Sequence, residues 1–202
     1  MEMKYSERYR FAQKLIRISS FLALIATGFL VFWLYHIGIL HDSNVLKSTL
    51  HRYTILGPLI FIVVQIIQVV FPVIPGGVTT VVGFIVFGWW KGFIYNYIGI
   101  VIGSIILFAL VKRFGRKFIL LFIKEDTFFK YERKLESKHF ENLFIFSMVS
   151  PISPADIMVM VTALTSMSLK RFLIIILLSK PFSIIGYSAM WLYGGDCLKK
   201  FL

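Results

Sequence analysis

An apolar run that opens at Thr54 is interrupted by Pro72, Pro75, Gly76 and Gly77 before it resumes at Val78. Each proline removes a backbone donor and clashes with the preceding turn, and the paired glycines give a helix nothing to hold. No straight helix passes this point. Hydrocarbon tolerates broken backbone only where protein or a water-lined cavity surrounds it. The break then recurs. The shift that carries Pro72 onto Pro151 also carries Pro75 onto Pro154, Lys91 onto Lys170, Phe93 onto Phe172 and Gly115 onto Gly194. Two interrupted helices in corresponding positions of two halves are the sequence mark of a transporter-type site.

The solvent for such a chain is a bilayer. Hydrophobic residues make up 58% of 202 and charged residues 16%, with a mean hydropathy of +0.81, which excludes an ordinary soluble domain. The net charge of +12 comes from Lys and Arg outside the apolar runs, where they act as orientation signals and headgroup contacts. Nucleic-acid binding is excluded, because no binding fold carries the charge. The single cysteine, Cys197, excludes an intramolecular disulfide. Histidines 36, 41, 51 and 139 lack metal-ligand spacing, and no serine–histidine or paired-carboxylate arrangement stands out. The expectation is a protein that is not an enzyme and needs no metal or cofactor.

Taken in order, residues 1–53 form a basic cytoplasmic segment, a first transmembrane helix from Ile18 to about Leu40, and an outer loop. Residues 54–202 form the transport domain: repeat 1 at 54–113, an amphipathic linker at 114–142 and repeat 2 at 143–202. In repeat 1, Gln65 and Gln68 lie three apart on one face of the first helix. A short helix from about Val78 to Trp90 is right for one arm of a re-entrant hairpin, with Trp89, Trp90 and Lys91 as an interfacial belt. A full span follows from Gly92 to Val111, and Lys112, Arg113, Arg116 and Lys117 fix its end in the cytoplasm. Phe114, Phe118, Leu121 and Phe122 recur at helical spacing, which predicts an amphipathic helix on the inner surface. Repeat 2 enters at Leu143–Ser150, breaks, returns at Ile157–Thr165, and reaches Lys170 and Arg171 on the inner face. A last span runs from Phe172 to about Tyr193. The predicted fold is therefore all-α and polytopic: an inverted repeat of two re-entrant hairpins, each followed by a span, behind an N-terminal transmembrane helix.

The run Pro72-x-x-Pro75-Gly76, followed by Gly83, Phe87, Gly88, Gly92, Gly99, Gly103, Arg113, Gly115 and Arg116, resembles the DedA / VTT-domain superfamily. Pro151-x-x-Pro154-x-Asp156, Phe172, Pro181, Tyr187 and Gly194 continue the resemblance across roughly residues 55–195. The resemblance implies movement of phospholipids or the carrier lipid undecaprenyl phosphate across membranes, with protons as a coupling ion in some members. This chain departs from the pattern at Gln68 and Gly77, where many members carry an acid. Met148 stands where an arginine is common, and Thr162-Ala163 where an Ala-Gly pair is common.

The candidate site is a phosphate headgroup site built from Pro72, Pro75, Gly76, Gly77, Pro151, Pro154, Asp156 and Lys180, with Arg113 and Arg116 as further phosphate donors and Gln65 and Gln68 as supporting polar groups. Gly76 and Gly77 can present backbone N–H groups at a half-helix N-terminus. Asp156 reads either as the N-cap of its half-helix or as a proton or headgroup relay. Lys180 lies too deep in the last span to snorkel easily, so it wants an anion: Asp156 or the ligand's phosphate. Arg113 and Arg116 read as inner-face anchors or as forked phosphate donors. The favoured function is lipid translocation between leaflets of a bacterial plasma membrane, with membrane lipids as the partner. A small-ion or small-solute transporter, proton-coupled in one version, is the alternative, and a non-transporting scaffold the third reading.

Overall fold

The computed structural model describes residues 56–72, 76–123, 125–132 and 139–201, together with residues 7, 11, 13–16, 18, 22 and 25, and side chains as far as Met190. The predicted first transmembrane helix, the outer loop and Pro75 fall largely or wholly outside the described residues. The described elements are all helices: α1 (Leu56–Val70), α2 (Gly76–Phe114), α3 (Arg116–Ile119), α4 (Glu125–Glu132), α5 (Phe140–Val149), α6 (Ala155–Thr162) and α7 (Leu169–Phe201).

Helix α2 is not one rod. At Gly88 the backbone takes φ 74° and ψ 176°, a region open essentially to glycine alone. The chain reverses there. Asn96 Nδ2 donates to the Thr80 carbonyl at 3.0 Å, although these residues would stand about 24 Å apart along an unbroken helix. The first arm, residues 76–87, lies antiparallel to α1: the Thr79 hydroxyl donates to Gln68 Oε1, and Phe87 meets Phe61 edge-on at 5.3 Å. The second arm, residues 89–114, runs beside α1 in the same direction. Its glycines bring the backbones together, for a Cβ at Gly99 would fall 2.7 Å from Gln65 Cβ and one at Gly103 2.8 Å from Val69 Cβ. Small residues on a shared stripe allow the close helix approach on which membrane bundles depend.

Helix α5 gives way to the Ser150–Pro154 break, α6 follows, and a turn led by Thr165 returns the chain to α7. The Thr165 hydroxyl donates to the Thr162 carbonyl at 2.7 Å and accepts from the Met167 amide at 3.1 Å. Helices α5 and α7 run in the same direction, with Phe144 near Phe172 and Pro151 near Gly186. Phe172 also stacks on Phe108 of α2 at 4.2 Å, joining the halves through the core. Pro181 inside α7 cannot donate to the Leu177 carbonyl, and the Tyr97 hydroxyl of α2 donates there instead at 3.0 Å.

The basic residues gather at the end opposite Gly88. Lys112 Nζ donates to the Thr165 carbonyl at 2.6 Å, and Arg171 pairs with Glu141 at 2.6 Å. The linker corrects the expectation of one surface amphipathic helix. It forms two short helices whose Ile119, Leu120 and Phe128 are fully buried, while Gln13 Nε2 donates to the Leu120 carbonyl at 2.7 Å. Apolar spacing marked Phe114, Phe118, Leu121 and Phe122, of which Phe114 is exposed and the others partly buried, while the fully buried Ile119 and Leu120 lie off that stripe.

Polarity is arranged inside out. Gln65, Asn96, Ser104, Lys180 and Ser188 are buried, while Leu59, Ile60, Val63, Leu178 and Phe182 are exposed. Water would oppose this arrangement and hydrocarbon favours it. Residues Gly77–Phe114 and Leu169–Met190 are long and apolar enough to cross a membrane.

Candidate functional site: a cavity between the two breaks

The two proline breaks share one cavity of about 680 Å³, a size usual for small-molecule sites. Pro72 and Gly77 line it from the first half, and Ser150 through Ile157 from the second. Gln65 and Gln68 contribute from α1; Lys180, Ser183, Ile184, Tyr187 and Met190 contribute from α7.

The first residues of two half-helices therefore face one space. Helix α6 begins after Pro154 with no side-chain hydrogen bond capping its first turn. The Ala155 N–H donates to the Ser153 carbonyl at 2.7 Å, so the Asp156 and Ile157 N–H groups and the positive end of the dipole are what the first turn offers an anion. Asp156 is not the N-cap: Pro154 occupies that position and Asp156 sits one residue inside the helix. Asp156 as a residue is partly buried and lines the cavity.

Lys180 is 5% exposed and lines the same cavity. Each of these two residues feels the other's charge, yet no nitrogen–oxygen distance within 4.0 Å joins them. Lys180 Nζ has no hydrogen-bond or ion-pair partner among the described residues. The expected approach of Asp156 and Lys180 is thus present without a direct ion pair. A nearly enclosed ammonium facing a cavity with uncapped helix donors is an anion-binding arrangement.

Of the other predicted residues, Pro72, Gly77, Pro151, Pro154, Gln65 and Gln68 all line the cavity. Gly76 starts the first arm of α2. Gly77 is where Tyr187 seats, since a Cβ there would fall 1.8 Å from the tyrosine hydroxyl oxygen. Arg113 and Arg116 do not reach the cavity. Arg113 is exposed and lies over the Phe114 ring, while Arg116 pairs with Glu132 at 2.6 Å and lies over Phe128. They follow the second arm of α2 to the basic end, far along the helix from the breaks, so neither is a donor to this cavity. Sequence reasoning also missed Thr80, Ser183 and Tyr187. Ser183 and Tyr187 were within reach of it, because Lys180, Ser183 and Tyr187 recur at i, i+3 and i+7 on one helix face.

The sequence pattern of the VTT domain matches residues 74–192. The chain belongs to this family. It is also 26% identical over 129 residues to the uncharacterized membrane protein YhjE of Bacillus subtilis (strain 168), a match spanning 64% of this chain and 62% of that protein. The match therefore covers less than two thirds of the relative's length. No solved structure matches the chain. The protein is thus a membrane protein of the DedA / VTT superfamily. Met148 is fully buried in the core. The cation of the cavity in this member is Lys180.

Proposed function

We propose that the protein moves a phosphate-bearing lipid between leaflets, holding the phosphate in the cavity between the two breaks. One observation carries this reading: Lys180 is nearly enclosed, has no partner among the described residues and faces that cavity. The uncapped start of α6 adds neutral donors to the same space. Asp156 offsets the lysine charge until a phosphate arrives. The phosphate then takes the place nearest the ammonium.

Two features favour a lipid over a free ion or small solute. Ile152 and Met190 line the cavity and are 78% and 45% exposed, so its rim is apolar and acyl chains can remain in the bilayer while the headgroup crosses. The opposed positions of the two reversals, Gly88 at one end and Thr165 at the end marked by Lys112, support two re-entrant hairpins in inverted repeat. With the basic end in the cytoplasm, the first hairpin opens outward and the second inward. The substrate class includes undecaprenyl phosphate and phospholipids, the membrane is a bacterial plasma membrane, and protons are the candidate coupling ion.

Purified protein in liposomes, with no ion gradient, should equalise a fluorescent phospholipid between leaflets. Ion conductance without lipid movement would make it an ion transporter. Neither activity would leave only the scaffold reading.

A further inference from the structure

Gln65 is 1% exposed and lines the cavity, and neither its amide nitrogen nor its amide oxygen has a hydrogen-bond partner among the described residues. An apolar side chain of similar size would be more stable in such a place. The neighbouring amides are at least partly engaged: Gln68 Oε1 accepts from Thr79, and Asn96 Nδ2 donates to the Thr80 carbonyl, although Asn96 Oδ1 has no partner among the described residues. The other fully orphaned buried groups, on Ser104, Thr162 and Ser188, do not line the cavity. Gly99 packs against Gln65 so closely that a Cβ there would fall 2.7 Å from Gln65 Cβ and 2.8 Å from Cγ. The stem is thereby held while the amide stays free.

An amide offers one acceptor and two donors, so a group that both gives and takes a hydrogen bond satisfies it best. A hydroxyl does so. A fully ionised phosphate only accepts, and an ammonium only donates. An ammonium headgroup would also meet the repulsion of Lys180, with Asp156 as the only carboxylate lining the cavity. We propose that Gln65 reads a hydroxyl carried beside the phosphate, so that the cavity selects phospholipids with polyol headgroups over bare phosphate monoesters and amine headgroups. This rests on the phosphate-lipid reading of the same cavity and narrows it.

The test measures binding of dioctanoyl phosphatidylglycerol, phosphatidic acid and phosphatidylethanolamine to the purified full-length protein, read from thermal shifts. At pH 8 the second ionisation of a phosphate monoester is essentially complete, so phosphatidic acid then carries no phosphate hydroxyl. Wild type should bind phosphatidylglycerol about tenfold more tightly than either other lipid, as two added neutral hydrogen bonds allow. Gln65→Leu should bring the three affinities within about twofold while the unliganded protein melts no lower than wild type. Gln65→Met, unbranched and of similar length, should do the same if the leucine variant does not fold. Equal affinities in wild type, or a preference that survives both substitutions, would overturn the role of Gln65 and leave the phosphate reading standing. If no lipid binds wild type, the phosphate reading fails, and the role of Gln65 with it.

Discussion

Asp156 of α6 and Lys180 of α7 line one cavity and feel each other's charge, yet no nitrogen–oxygen contact within 4.0 Å joins them. Consecutive helices thus hold opposite charges close without letting them pair directly. Either charge alone would be costly in this setting. Lys180→Met should therefore lower thermal stability, and adding Asp156→Asn should restore part of it while transport stays lost. Without a direct contact, the coupling in a double-mutant cycle should be about 0.5–1 kcal/mol, the lower part of the usual range for interacting residues. Strictly additive losses in thermal melts would show that the two side chains act independently.

Tyr97 and Pro181 form a second testable pair. Pro181 frees the Leu177 carbonyl, and the Tyr97 hydroxyl takes it at 3.0 Å. Tyr97→Phe should cost about 1 kcal/mol of stability, the usual worth of one net hydrogen bond. In a Pro181→Ala background the residue-181 amide can reach Leu177 itself, so the cost of Tyr97→Phe should nearly vanish. An undiminished cost there would mean that Tyr97 acts through packing instead.

Close helix approach and the reversal at Gly88 make separate demands. Gly88→Ala meets open space but a positive φ, so backbone strain alone should cost on the order of 1–3 kcal/mol. Gly92→Ala has ordinary backbone freedom, but its Cβ would fall 2.5 Å from the Gly83 carbonyl oxygen, and overpacking should cost about 1–3 kcal/mol. Restoring glycine's flexibility elsewhere cannot relieve the second effect. Replacing Gly83 does not relieve it either, because the obstacle is backbone. Wild-type melting of either variant would contradict the reversal.

The two breaks were legible in the sequence, because proline and glycine act locally and leave few alternatives; that Asp156 and Lys180 share a cavity without a direct contact was not. What escaped was decided by contacts distant in the chain. Arg113 and Arg116 have the chemistry of phosphate ligands, but their positions at the end of α2 and the start of α3 send them to the basic end. Phe122 and Ile123 of the linker face the cavity, and Phe128 is buried, because helical periodicity identifies an apolar face without naming what covers it. Asp156 resembles an N-cap until the cap is fixed two residues earlier, at Pro154. Tyr187 becomes part of the site through Gly77, a partner in the other half.

Orientation follows from the ends. Lys112 contacts the Thr165 turn, so positions 117 and 170 should share a face of the membrane and position 91 should lie on the other. In a Cys197→Ser background, Lys117→Cys and Lys170→Cys should label only from the cytoplasm, and Lys91→Cys only from outside. Labelling of positions 91 and 117 from the same face would contradict the arrangement.

The central claim is that Lys180 carries the phosphate through the cavity, and the flipping rate of one fluorescent phospholipid in liposomes tests it most directly. Wild type, Lys180→Arg and Lys180→Met are compared at equal, verified amounts of folded protein. Loss of a charge-assisted hydrogen bond to the ligand, about 1.5–3 kcal/mol, should slow Lys180→Met by about tenfold to a hundredfold. Lys180→Arg, which keeps the charge, should retain most of the activity. A wild-type flipping rate in Lys180→Met would contradict the account.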